Sequence, residues 1–113
     1  MLVHTLEEAA EWLRAHFAAH AARDLACVVR IDLSGPGGGS LGVRIDGARL
    51  AVEPGSPPKP DLVLRVAARD YYALLAGREN AELLFMDGRM EIEGPLRLAM
   101  RMRSLFPPGA RGS

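Results

Sequence analysis

The 113-residue sequence has little of what marks several large classes of protein. Its only cysteine is Cys27, which excludes an internal disulfide and fits a reducing compartment. An apolar run of about 18 residues is missing, so no membrane span is predicted. The first residues lack a secretion signal, because Glu7, Glu8 and Glu11 follow at once. The C-terminal Arg-Gly-Ser is not a peroxisomal address. We therefore expect a soluble, cytoplasmic protein.

The charges are balanced, with 14 basic and 14 acidic residues. A nucleic-acid-binding domain normally carries a basic excess, so no nucleic-acid partner is predicted. All the basic residues except Lys59 are arginines, which we interpret as compositional bias. The hydrophobic share of 49% at this length is enough for one core. We predict a single domain over residues 1–113, held together without metals or disulfides.

Helical spacing of apolar residues, together with end signals, predicts three helices, over residues 6–23, 70–76 and 96–105. Thr5 and Glu8 form a capping box before the first helix. Gly77 stands where the second helix should end, and Pro95 suits the first turn of the third. The third helix is apolar over more than half of its circumference. It therefore needs more than one surface to cover it.

Between the helices the apolar residues alternate with polar ones, which is typical of strands. Five strands are predicted, near residues 27–33, 41–46, 49–53, 62–67 and 89–93. Asp46 and Gly47 predict a tight hairpin between the second and third strands. One face of these strands is aliphatic and the other is charged. We therefore predict an α+β (α/β) fold, a five-stranded, mainly antiparallel sheet with helices packed on one face.

No residue pattern indicates a catalytic centre, a cofactor or a metal. His16 and His20 are four residues apart, but the HExxH pattern and supporting cysteines are missing, so we interpret them as solvated surface histidines. The glycine-rich residues 35–40 lack the ending of a phosphate-binding loop and precede a strand. Glu91 and Glu93 lie on the charged face of a strand and are interpreted as solvated. No enzymatic activity is predicted.

Residues 81–108 hold more apolar surface than one small sheet face needs. Four of the five methionines lie there, at Met86, Met90, Met100 and Met102. Methionine side chains are flexible and fill irregular gaps, so this interior can accept more than one shape. A plain core, a partner subunit and an apolar ligand are all compatible with this surplus.

Residues 61–106 contain a series of short motifs in a defined order. A strand leads into the helix DYYALLAG, which ends in a glycine and is followed by Asn80. The segment LFMDGRMEIEG comes next, with a phenylalanine shortly before a glycine and then a strand of the form Gly-basic-apolar-x-Ile-x-Gly. An alanine-containing helix, LAMRM, ends near Leu105 and Phe106. This order of segments over residues 61–106 resembles the sterol carrier protein 2 (SCP-2) family, and the preceding helix and three strands agree with that family in order.

This resemblance implies a hydrophobic tunnel between the sheet and the helices. Family members carry fatty acids, fatty acyl-CoA, sterols or phospholipids without chemistry, and an apolar lipid is the implied partner. The positions that match the motif's apolar residues would line the tunnel, with the last helix as its lid: Leu75, Leu84, Phe85, Met90, Ile92, Met102, Leu105 and Phe106.

The family's large partner domains are missing here, which suggests a stand-alone, bacterial-type member. Two alternatives remain open at this point. The first is an accessory subunit that presents an apolar intermediate to a partner enzyme, as SCP-2-like quinone-biosynthesis factors do. The second is a structural module that forms a homodimer through its surplus apolar surface.

Overall fold

The computed structural model describes residues 3–107 and consists of a sheet, four α-helices and a short 3₁₀ helix within that range. The C-terminal Arg-Gly-Ser considered above lies outside the described residues. In chain order the elements are α1 Leu6–His16, the 3₁₀ helix Ala19–Ala22, β1 Ala26–Ser34, β2 Gly39–Asp46, β3 Arg49–Pro54, β4 Leu62–Ala67, α2 Ala68–Leu75, α3 Ala81–Met86, β5 Met90–Glu93 and α4 Leu96–Leu105.

The five strands form one sheet in the order β3-β2-β1-β4-β5. Strands β1 and β2, β2 and β3, and β4 and β5 pair antiparallel, whereas β1 and β4 pair parallel. The predicted α+β class and five-stranded sheet are confirmed. The sheet is mixed. After β3 the chain passes over β2 and β1 and returns to the sheet as β4, which lies beside β1 and runs parallel to it.

That connection crosses the charged face of the sheet. Three strand spacings amount to about 14 Å, which a segment of about seven residues spans with ease. A Cβ atom at Gly42 would lie 3.0 Å from Cδ of Pro57, so the loop passes directly over β2. The loop ends at Asp61, whose N–H donates to the Val28 carbonyl over 2.7 Å and whose carboxylate accepts from the Val28 N–H over 2.8 Å. These two hydrogen bonds hold the end of the loop beside β1, where β4 begins.

The opposite face of the sheet carries the core. Helix α1 packs on β2 and β3, α2 on β1 and β4, and α3 beside β5. Every buried side chain among residues 3–107 is hydrophobic, and the largest fully buried ones include Ile31, Leu41 and Leu62. The alternation of apolar residues along the strands therefore predicts the inner face correctly.

The first helix is shorter than predicted. It ends at His16, and Phe17 turns the backbone into an extended conformation with φ −69° and ψ 122°. Phe17 packs on Phe106, with ring centroids 5.5 Å apart, and the Ala18 N–H donates to the Leu105 carbonyl over 2.8 Å. The prediction of a helix to residue 23 was wrong because this tertiary contact overrides the local helical preference.

The early end of α1 also changes the place of the histidines. The two no longer share one helix face, because His20 lies in the 3₁₀ helix and is exposed. His16 is half-buried: its Nδ1 lies 2.8 Å from the Trp12 carbonyl oxygen, and its ring stacks on the indole at 3.9 Å. The interpretation as a solvated side chain was therefore wrong for His16.

Helix α3 is an element that the apolar pattern did not predict. Asn80 caps it, since its side-chain oxygen accepts from the N–H groups of Glu82 (2.8 Å) and Leu83 (3.3 Å). An asparagine followed by an acidic residue in the first turn is a recognised helix start. That local signal could have identified α3.

Candidate functional site: the apolar interior beneath helix α4

Seven of the eight residues expected to line a tunnel belong to the buried core or pack against it. Five of them are buried in the core: Leu75, Leu84, Met90, Leu105 and Phe106. Ile92 and Met102 are half-buried and pack against this core. Phe85 lies on the outer side of α3 and is 45% exposed. Successive helix residues point about 100° apart, so the full burial of Leu84 turns its neighbour away from the interior.

Strand β5 supplies one side of this cluster. Met90 and Ile92 face inward, while Glu91 and Glu93 between and after them are exposed, as the alternation predicts. The strand ends at Glu93, and the next residue, Gly94, has a φ of +127°. A Cβ atom there would lie 2.7 Å from the Asp61 carbonyl oxygen, so only glycine fits without a shift of the backbone.

Arg89 joins the elements around the start of β5. Its guanidinium lies 3.3 Å from the carboxylates of both Glu79 and Asp87 and 3.5 Å from that of Asp70 in α2. The hydrogen bond to Glu79 is the main cause that raises the pKa of Arg89. Single exposed ion pairs contribute little to stability. Three carboxylates around one guanidinium nevertheless fix where α2, α3 and β5 meet.

Helix α4 is held by arginines at both flanks. Nη2 of Arg101 lies 2.9 Å from both the Asp24 carboxylate and the Ala21 carbonyl oxygen. Nη1 of Arg103 lies 2.7 Å from the Glu82 carboxylate on α3. The hydrogen bond from Arg101 is the main cause that lowers the pKa of Asp24. The partners of these arginines are distant from them in the chain, so only the fold identifies which residues pair.

The inner side of α4 faces an apolar interior. Leu105 is fully buried, and Leu98, Ala99 and Met102 are half-buried against the core. Burial raises the pKa of both the Cys27 thiol and the Tyr71 hydroxyl, which disfavours their ionised forms.

Among residues 3–107 no group of three or more metal-ligating side chains comes together. In the same part of the chain no helix is long and apolar enough to cross a membrane. The buried side chains in this range are hydrophobic, so the interior offers apolar contacts.

The surface of the described residues includes two clefts near these elements. One, of about 220 Å³, lies on the charged face of the sheet beneath the loop after β3. The other, of about 520 Å³, lies on the outer face of α4 and is lined by Leu96, Arg97, Met100, Arg101 and Ser104. Both are open to solvent, and neither is the enclosed tunnel that the resemblance implies.

Comparison with known proteins agrees with this arrangement. Human sterol carrier protein 2 is 33% identical over 78 residues, which are 66% of this chain and 14% of the human protein. This chain thus spans a small part of the curated relatives that it matches. At 20% identity, the palmitated SCP2L2 of Aedes aegypti superposes with a TM-score of 0.70 over 95% of this chain and 96% of its own.

Two further structures share the fold at low sequence identity. The sec-alkylsulfatase Pisa1 of Pseudomonas sp. has a TM-score of 0.78 at 13% identity, covering 90% of this chain and 16% of the sulfatase. The ubiquinone synthesis protein UbiJ-SCP2 has a TM-score of 0.69 at 16% identity, covering 88% of this chain and 90% of its own.

The pattern typical of the SCP-2 sterol transfer family matches residues 5–107, which is most of the chain. That match includes the sheet, the inner residues of β5 and the whole of α4. Lipid binding or transfer is the general function that this match indicates. The chain therefore belongs to the SCP-2 sterol transfer family.

Proposed function

We propose that this protein carries an apolar lipid, such as a fatty acid, a fatty acyl-CoA or a sterol, between the sheet and α4 without altering it chemically. The observation that carries the proposal is the character of the interior. Among residues 3–107 every buried side chain is hydrophobic, and none is charged. A guest beneath α4 would therefore meet only apolar contacts, so an aliphatic chain or a sterol ring system suits it.

The energetics favour an acyl chain with its head group outside. Burial of aliphatic groups contributes about 0.8 kcal/mol per CH₂. Transfer of about 14 methylenes from water to the interior therefore favours binding by roughly 11 kcal/mol, before the entropic cost of ordering the lipid and the protein is subtracted. A carboxylate or a coenzyme A phosphate has no buried cation to pair with among the described residues, and burying it unpaired would be costly. Such a head group would stay in solvent at the edge of α4.

The attachment of α4 suggests how room for the lipid arises. The helix is tied by Arg101 and Arg103, whose side chains are 34% and 51% exposed, so solvent weakens both ion pairs. Its inner side chain Met102 is only half-buried and flexible. Outward movement of α4 would open space between Met102 and the core against which it packs. The palmitated state of the Aedes relative supports an acyl chain as one such guest.

Titration with a fluorescent fatty acid in vesicle-free buffer, together with native mass spectrometry of the protein purified from cells, tests this function. Saturable binding and a co-purified lipid mass are expected. Competition by fatty acid, acyl-CoA and sterol then identifies the preferred class. If the folded protein carries no lipid mass and none of the three classes binds, the proposal fails.

A subunit that presents a lipid to an enzyme would use the same interior. The likeness to UbiJ-SCP2 is compatible with that role. Affinity capture under mild conditions separates the two possibilities. A carrier is recovered alone with its lipid, whereas a presenting subunit is recovered with one enzyme in a fixed ratio.

A further inference from the structure

The large exposed apolar side chains among residues 3–107 are confined to two neighbouring helices. They are Leu83 (54% exposed), Phe85 (45%) and Met86 (77%) on α3, and Leu96 (53%) and Met100 (60%) on α4. We call these five residues the α3–α4 face. Single exposed apolar residues are ordinary, but their concentration on one part of a surface indicates a contact with something apolar.

The ion pairs of α4 show how the exposed side of this helix is oriented and that α3 lies beside it. Arg101 and Arg103 reach to opposite sides of the helix, one to Asp24 and the other to Glu82. Residues two apart on a helix point about 160° from each other, so the stripe between them, with Leu96 and Met100, faces outward. Arg103 binds Glu82, the immediate neighbour of Leu83, which joins the exposed stripe of α4 to that of α3.

The charge on this face is positive where it lies on α4. The helix contains three arginines and no acidic residue. Arg97 forms no salt bridge with any described carboxylate, and it lines the outer cleft together with Leu96 and Met100. Basic side chains interleaved with apolar ones on one helix face are typical of segments that lie in the interface of an anionic bilayer.

We propose that the α3–α4 face docks on the surface of an anionic lipid bilayer, with its apolar side chains among the acyl chains and Arg97 at the phosphates. Charge complementarity selects this occupant over a second copy of the chain, because a symmetric contact through this face would bring two Arg97 cations together. It also selects this face over α1, whose exposed side carries Glu7 and Glu11.

This docking rests on the proposed function in one respect. The lipid would lie beneath α4, and docking places α4 against the donor membrane. The docking itself does not require a bound lipid. Vesicle binding and fatty-acid binding in vesicle-free buffer can therefore succeed or fail independently, and each result bears on only one of the two proposals.

Co-sedimentation of the full chain with vesicles tests the docking. We expect binding to phosphatidylcholine vesicles that contain phosphatidylserine, a loss of binding at high salt, and weak binding to pure phosphatidylcholine. The Leu96→Ser/Met100→Ser double variant should lose at least about tenfold in vesicle affinity, since both side chains leave the apolar layer. Both positions are exposed, so its thermal unfolding should match that of the wild type.

Two arginine variants give a matched comparison. Arg97→Gln removes a cation on the α3–α4 face, whereas Arg44→Gln removes an exposed cation on the charged face of the sheet. The first should weaken vesicle binding several-fold and the second should not. Equal effects of the two variants, or no binding to either kind of vesicle, would overturn the proposal. A dimer in vesicle-free buffer that Met100→Ser dissociates would overturn it as well, because a second copy would then occupy the face.

Discussion

Two methionines on α4 allow a direct test of where the lipid lies. Met102 is half-buried and packs against the core, whereas Met100, two residues earlier, is 60% exposed. Met102→Arg and Met100→Arg therefore introduce the same side chain on the inner and the outer sides of one helix. We expect the first substitution to weaken fatty-acid binding strongly and the second to leave it unchanged.

The positions of the two side chains give the expected size of the effects on stability and on fatty-acid affinity. Full burial of a methionine stabilises a protein by about 1.5–3 kcal/mol, so loss of a half-buried one costs roughly 1 kcal/mol. The arginine head group can extend toward water, and the domain should remain folded within a typical stability of about 5–15 kcal/mol. If the arginine displaces about three methylenes of the lipid, binding loses about 2.4 kcal/mol, or roughly fiftyfold in affinity.

The assay is a fluorescent fatty-acid titration without vesicles, with urea unfolding as the check on folding. A folded Met102→Arg variant with wild-type affinity would place the lipid away from the inner side of α4. Equal losses of affinity in both variants would attribute the effect to added charge and would refute the reasoning from burial.

Three further substitutions test the framework around the site. Leu84→Ala removes a fully buried side chain and should lower the free energy of unfolding by about 2–5 kcal/mol in urea denaturation. The Gly42→Val side chain would press on Pro57 and should lower the free energy of unfolding by about 1–3 kcal/mol. A stability equal to that of the wild type would show that the loop moves freely. The hydrogen bond from Arg101 lowers the pKa of Asp24 below its ordinary value of 3.8. The pair therefore stabilises the fold above that pH, and this stabilisation is lost as the pH falls through the lowered pKa. The difference in stability between wild type and Asp24→Asn should therefore shrink on acidification, and a difference that grows would contradict this pairing.

Local patterns predicted much of the fold because they act over short distances. The alternation in β1, β2 and β4 places the aliphatic side chains on the buried face, and the bounds of α4 agree with those predicted. The capping pair at Thr5 and Glu8 also forms, with the Glu8 N–H donating to the Thr5 hydroxyl over 3.1 Å. Helix α3 was missed although Asn80 marks its start, because six residues are too few to show a helical period.

The candidate site was predicted less completely, since its lining depends on which side of a short element faces inward. The resemblance implied a lining that includes Leu84, Met90 and Leu105, and each of these side chains is buried in the core. Phe85 is adjacent in sequence to Leu84 but points outward, which only the rotation of α3 decides. A tunnel lined by these residues stays a prediction.

By itself the sequence determined the five strands, three of the four α-helices in outline, the apolar face of each strand and the family. These properties follow from the spacing of side chains along the chain and from the order of short motifs. The tertiary structure alone decided the parallel pairing of β1 with β4, the end of α1 at His16, and the partners of Arg101 and Arg103. Each of these joins residues far apart in the chain, and such contacts depend on the packing of whole elements, which local spacing does not specify.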